Sequence, residues 1–172
     1  MREGGTNDRA GAARTRAAAS SSTAPPMNQR LTFQVHRVNA KIAQVANSLF
    51  RIQQLDLLSS RILVLLLERG EMRVGELVEE MVLPQSTISH QLQRLEKRKL
   101  LRRRRAKDDN RSVAVSLTPK GLDVARQCNQ LSLAVYQHMT ERLTGAEAAQ
   151  LAKLLGKMFA TLETFSASID PR

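Results

Sequence analysis

Apolar residues recur along this chain at helical spacing over most of its length and at strand spacing over one short stretch. Leu31, Val35, Val38, Ile42, Val45 and Leu49 form one stripe, which predicts an amphipathic helix over about 29 to 52 with His36, Arg37 and Lys41 on its polar face. A second helix, about Leu57 to Arg69, is apolar on nearly every side through Ile62 to Leu67 and is stopped at Gly70. Apolarity all round places it at the centre of a domain. Val74, Leu77, Val78 and Met81 then mark one face of a short helix, Leu83 and Pro84 break the chain, and another helix follows over about 85 to 98. Two short helices across a tight turn make a helix-turn-helix.

The pattern next changes period. Leu100 to Ala106 and the alternating Val113, Val115 and Leu117 read as two strands joined by the polar turn Lys107 to Arg111, a hairpin or wing. Pro119 suits the first turn of a helix, and Leu122, Val124, Leu131, Leu133, Val135 and Met139 carry that helix to about Leu143. Thr144 and Glu147 have capping-box spacing and open a last helix to about Phe165. The expected fold is mainly α with a small β-hairpin wing: a winged helix-turn-helix with long helices at both ends.

Residues 1 to 26 contain no Leu, Ile, Val or Phe and end in Pro25-Pro26, so 1–27 is expected to be a disordered basic arm ahead of one domain over 28–168. The Arg- and Ala-rich start resembles an organelle transit peptide, but Glu3 and Asp8 weigh against that reading. Met27 opens the first patterned segment and is an alternative point for translation to begin.

Composition narrows the function classes. The longest apolar run, Ile62 to Leu67, is far short of the roughly 20 residues of a membrane-spanning helix. Cys128 is the one cysteine, so an intrachain disulfide is impossible and a reducing cytoplasm is expected; a buried, inert thiol is favoured over a sensor. With no Trp, one Tyr and four Phe, the core must be aliphatic, and few rings are available to stack unpaired bases. Lys and Arg number 27 against 16 Asp and Glu, for a net charge of +11. Ten of the cations lie between residues 84 and 111, with only Glu96, Asp108 and Asp109 against them. Because this run coincides with the second helix of the pair and the wing, double-stranded DNA is the expected partner.

In the second helix of the pair, Ile88, Leu92 and Leu95 point inward, leaving Ser86, Thr87, Ser89, His90, Gln91, Gln93 and Arg94 for DNA. Ser86 and Thr87 suit phosphates, whereas His90, Gln91, Gln93 and Arg94 suit base edges. Arg104 and Lys107 join the DNA-contact set, Arg111 is placed to enter a minor groove, and Asp109 to hold its guanidinium. His36, His90 and His138 are too far apart in sequence to suggest a metal site, and no nucleophile elbow or phosphate loop is present. No enzyme activity, metal or cofactor is expected. Phe33, Phe50 and Tyr136 are candidate pocket walls but better core residues.

Asp109-Asn-Arg111 followed by Leu117-Thr-Pro-Lys-Gly121 resembles the wing signature of the MarR family of bacterial transcription regulators, and Leu143-Thr-Gly-Ala-Glu147 is similar to the start of its last helix. The resemblance spans about residues 30 to 166. Lys99 stands where the family usually has a helix-ending Gly, Arg105 where Pro is common, and Pro84 in place of a capping Ser. The resemblance implies a DNA-binding lobe over about 55–118 and dimerisation helices over about 29–52 and 119–166. It also implies a homodimer, a small-molecule effector and, in the commoner mode, a repressor. Ser86-Thr-Ile-Ser-His90 also resembles the ArsR family, but paired cysteines are missing and the C-terminal helical region is long. A basic membrane-surface or interaction module is the rival from another class. If the wing assignment holds, Arg111→Ala weakens binding to most duplexes and flattens the salt dependence; equal affinities of variant and parent across a salt series would refute it.

Overall fold

The computed structural model describes residues 25–105 and 112–169. By its contacts the chain divides after Arg37, and the residues before that point are described by themselves. There, a 3-10 turn at Met27–Gln29 is followed by Arg30, whose Nε donates to the Pro25 carbonyl at 2.9 Å. Helix α1, Leu31–Phe50, begins in this unit and continues into the larger one.

A 3-10 turn at Arg51–Gln53 leads to α2, Leu57–Arg69, and a two-residue strand β1, Met72–Arg73. Then come α3, Val74–Met81, and α4, Gln85–Lys97, followed by strands β2, Leu101–Arg105, and β3, Val113–Leu117. Two long helices close the described chain, α5, Pro119–Thr140, and α6, Gly145–Ile169. The sheet is antiparallel in the order β1-β3-β2, with Val115 opposite both Met72 and Arg103. The wing is therefore braced by a third strand that the sequence pattern did not predict. Two residues are too few to show a period.

As its composition requires, α2 supplies the centre of the core through Ile62, Leu63 and Leu66, and it packs most extensively on α5. Around it lie Phe50, Leu77, Ile88, Leu92, Leu95, Leu101, Val115 and Cys128, all within 2% of fully buried. The helix starts at Asp56, whose carboxylate accepts from the Ser59 N–H at 2.7 Å, and ends at Gly70 with a left-handed φ of 77°. The predicted capping box of α6 is present: Thr144 N–H donates to Glu147 at 2.8 Å, and Glu147 N–H donates to the Thr144 hydroxyl at 3.2 Å.

Three segments are locked together where the sheet meets α5. Thr118 caps α5 by accepting from the Gly121 N–H at 3.0 Å, while its hydroxyl donates to the Lys99 carbonyl at 2.7 Å and its own N–H donates to the Leu100 carbonyl at 3.1 Å. A Cβ on Gly121 would lie 1.7 Å from that same Leu100 oxygen, so only glycine allows the helix to approach so closely. Lys99 has φ of 59°, the left-handed conformation that a glycine adopts without cost. That geometry explains why a glycine is the usual residue there.

Denaturation should read both backbone constraints. Gly121→Ala is expected to cost roughly 1–3 kcal/mol or more, because backbone must move to admit the methyl. Lys99→Gly is expected to relieve about 1 kcal/mol of left-handed strain, partly offset by the freer unfolded chain.

Candidate nucleic-acid interface

Helix α4 buries Ile88, Leu92 and Leu95, and the helical rotation of about 100° per residue sets its outer face opposite them. Ser86, His90, Gln93 and Lys97 form that face at intervals of three and four, and all four are exposed. Thr87 and Ser89 lie on its flanks, half-buried. Lys97 was absent from the sequence-derived set, although its spacing from Gln93 and His90 would have found it. Pro84, at the N-cap, makes no side-chain cap, so the first N–H groups of α4 are left to solvent or a ligand.

The structure places Gln91 and Arg94 differently. The Gln91 Oε1 accepts from the Ser59 hydroxyl at 3.0 Å and from Arg94 Nη1 at 3.2 Å. Arg94 Nη1 also donates to Asp56 Oδ2 at 3.1 Å, the second oxygen of the carboxylate that caps α2. Burial pushes the Asp56 carboxyl up, but hydrogen bonds from Ser59 and the Arg94 guanidinium outweigh it and leave the pKa below the ordinary aspartate value. One turn further on, Arg98 donates to the Gln54 and Gln53 carbonyls, each at 2.8 Å. The C-terminal half of α4 thus grips the 51–56 connection between α1 and α2.

Strand β2 carries Arg102, Arg103, Arg104 and Arg105, and strand alternation sends them to two faces. Arg103 shares the inner face with Leu101 and donates to Glu96 from Nε at 2.8 Å and also from Nη2, holding that carboxyl below its usual range. On the outer face Arg104 makes a two-pronged pair with Glu71, Nε to Oε2 at 2.9 Å and Nη2 to Oε1 at 2.8 Å. Glu71 in turn raises the Arg104 pKa. Arg102 Nε donates to the Ser116 hydroxyl at 3.1 Å. Lys107, Asp109 and Arg111, expected at the turn of the wing, lie outside the described residues.

The MarR family model matches residues 55–113, from two residues before α2 to the first residue of β3. The chain is similar to the transcriptional repressor IacR of Pseudomonas putida, 27% identical over 128 residues, which cover 74% of this chain and 77% of that protein. It is also similar to the regulator MgrA of Staphylococcus aureus, 26% identical over 133 residues, covering 77% of this chain and 89% of that one. A mutant of E. coli MarR solved with operator DNA superimposes with a TM-score of 0.68 at 25% identity, over 78% of this chain and 99% of its own. These matches make the chain similar to MarR-family regulators.

Outside the candidate interface, the chain holds Cys128 fully buried on α5, with Sγ 3.4 Å from Gln53 Oε1. Burial pushes its thiol pKa up to about 11, against a smaller lowering by Arg98. Phe50 is core, as expected, whereas Tyr136 is 53% exposed. Among the described residues no group of three His, Cys, Asp or Glu side chains is placed to hold a metal ion, and no helix is long and apolar enough to cross a membrane.

Asp56 joins the cap of α2 to Arg94 on α4, and its removal can be measured. Asp56→Ala is expected to cost about 0.5–2 kcal/mol at neutral pH. The folded pKa is depressed, so this contribution is present above the unfolded aspartate pKa and is lost as pH falls through the folded value. The stability gap between parent and variant, followed by denaturation, should therefore close in acid.

Proposed function

We propose that this chain is a homodimeric DNA-binding repressor of the MarR family, released from a pseudo-palindromic operator by a small-molecule effector. The observation that carries the DNA reading is the exposed polar stripe Ser86, His90, Gln93 and Lys97, on a helix that follows a tight turn and lies beside an arginine-rich sheet. In this reading Ser86, Thr87 and the open N–H groups of α4 bind phosphate, and His90, Gln93 and Ser89 face base edges. Gln91 and Arg94 flank this stripe, with the Gln91 Oε1 and one Arg94 nitrogen already engaged within the protein. Arg111 enters the minor groove beside Asp109, with Lys107 on the backbone.

The dimer reading rests on apolar surface without a cover. Helix α6 exposes Leu151, Leu154, Leu155, Phe159, Leu162 and Phe165, each at least 42% accessible. A groove of about 560 Å³ between α1 and α5, walled by Val38, Ile42, Val45, Leu49, Val135 and Met139, adds a second apolar surface. Patches of this extent mark an interaction surface. A second copy covering them makes α1, α5 and α6 the dimerisation region and leaves 55–118 as the DNA-binding lobe. Two such lobes would read half-sites about 34 Å apart, one helical turn of duplex. An effector acts only through its different affinity for the DNA-fitting and non-fitting spacings of the lobes. No catalysis is part of this reading, and the cytoplasm is the compartment it requires.

Selection of bound duplexes from a random pool, followed by affinity measurements on the selected and a scrambled sequence, tests the DNA reading. Equal affinity for both, with binding to acidic liposomes, would favour the membrane-surface alternative. Truncation before Thr144 is expected to abolish the dimer; a truncated chain that still sediments as a stable dimer would contradict the assignment of α6.

A further inference from the structure

Resting on the DNA-binding reading, we propose that Glu71 and Glu96 are specificity-determining residues: they hold Arg104 and Arg103 off the DNA backbone and so keep sequence-independent binding low. The run Arg102 to Arg105 looks, as sequence, like four cations offered to phosphates. In the folded chain two of the four are already committed. Arg104 gives Nε and Nη2 to the two oxygens of Glu71, and Arg103 gives the same two nitrogens to Glu96 Oε2. A carboxylate engaged in this way takes up the planar donor fork with which arginine grips a phosphate. The Nε–Nη2 side of each guanidinium is thus occupied and its charge already balanced by a carboxylate, so a phosphate gains less from either arginine than from a free one.

Neither acid belongs to the hairpin that carries the arginines. Glu96 is on α4 and Glu71 precedes β1, so the pairing is set by how three segments meet rather than by local sequence. Ala114, opposite both Arg73 and Arg104, is 3% exposed although it lies on the outer face. Both pairs remain accessible, with side chains 31–43% exposed, so solvent ions and phosphates reach them. Exposed ion pairs contribute little to folding. The larger consequence is for the phosphate inventory, since sequence-independent affinity follows the number of phosphates neutralised, whereas base-edge contacts do not.

The test uses the full chain with Glu71→Gln and Glu96→Gln, on a selected duplex and a scrambled duplex of equal length, across a salt series. On the scrambled duplex the slope of log affinity against log salt should steepen by about 0.9 for each arginine released, hence up to about two per dimer for each substitution. Affinity for the scrambled duplex should rise about three- to tenfold at low salt, and the ratio of selected to scrambled affinity should fall. Glu71→Asp, which keeps the charge, should stay near the parent. Unchanged slopes in a folded Glu71→Gln variant would overturn the proposal, as would a ratio that changes only with melting temperature. Should Glu96→Gln fail to fold, Glu71→Gln decides alone, because Glu71 lies outside α4. A parent that binds both duplexes equally would overturn the repressor reading instead, and the slope on the scrambled duplex would still decide this assignment.

Discussion

The end of α4, the sheet and the start of α5 meet at the Leu100 carbonyl. It accepts the Thr118 N–H, and α5 approaches it at Gly121 with no space for a methyl group. The Thr118 hydroxyl adds a bond on each side, to the Lys99 carbonyl and from the Gly121 N–H. This contact leaves β3 and α5 little freedom to rotate relative to α4. A binding surface assembled from a helix and a sheet needs such a fixed angle, because side chains must be held to within a fraction of an ångström to be useful together.

The charge of the molecule is distributed by the same packing. Among the described basic residues near α4 and β2, Arg94, Arg98, Arg103 and Arg104 are all tied to other parts of the protein. Two of these ties, from Arg94 and Arg98, run to the connection between α1 and α2, and Gln53 in that connection also bonds Gln127 on α5 at 2.9 Å. The pose of α4 is therefore linked to the helices that carry the uncovered apolar surface. A change in how those helices lie has a short route, through two arginines, to the candidate interface.

Much of this was legible in the sequence because helices announce themselves by period. The stripes of α1, α3 and α4, the apolar α2 and the Thr144 cap all carry their own local reasons, and their positions follow from them. Strand β1 was not legible, since Met72 and Arg73 become a strand only by pairing with β3. The same limit applies to the site. Polarity shows that Gln91 and Arg94 are not core, but it does not distinguish a side chain facing solvent from one facing Ser59 and Asp56, 32 and 38 residues away. A row of arginines in sequence likewise hides which have acidic partners, because Glu71 and Arg104 stand 33 positions apart and meet only in the folded chain.

The burial of Cys128 has a practical side. A thiol with no accessible surface and a pKa near 11 is almost wholly protonated at neutral pH and shielded from reagents. The native chain therefore behaves toward maleimides and spin labels as though it had no cysteine. A single cysteine introduced on the outer face of α4, or on α6, would take a probe cleanly with the core left intact.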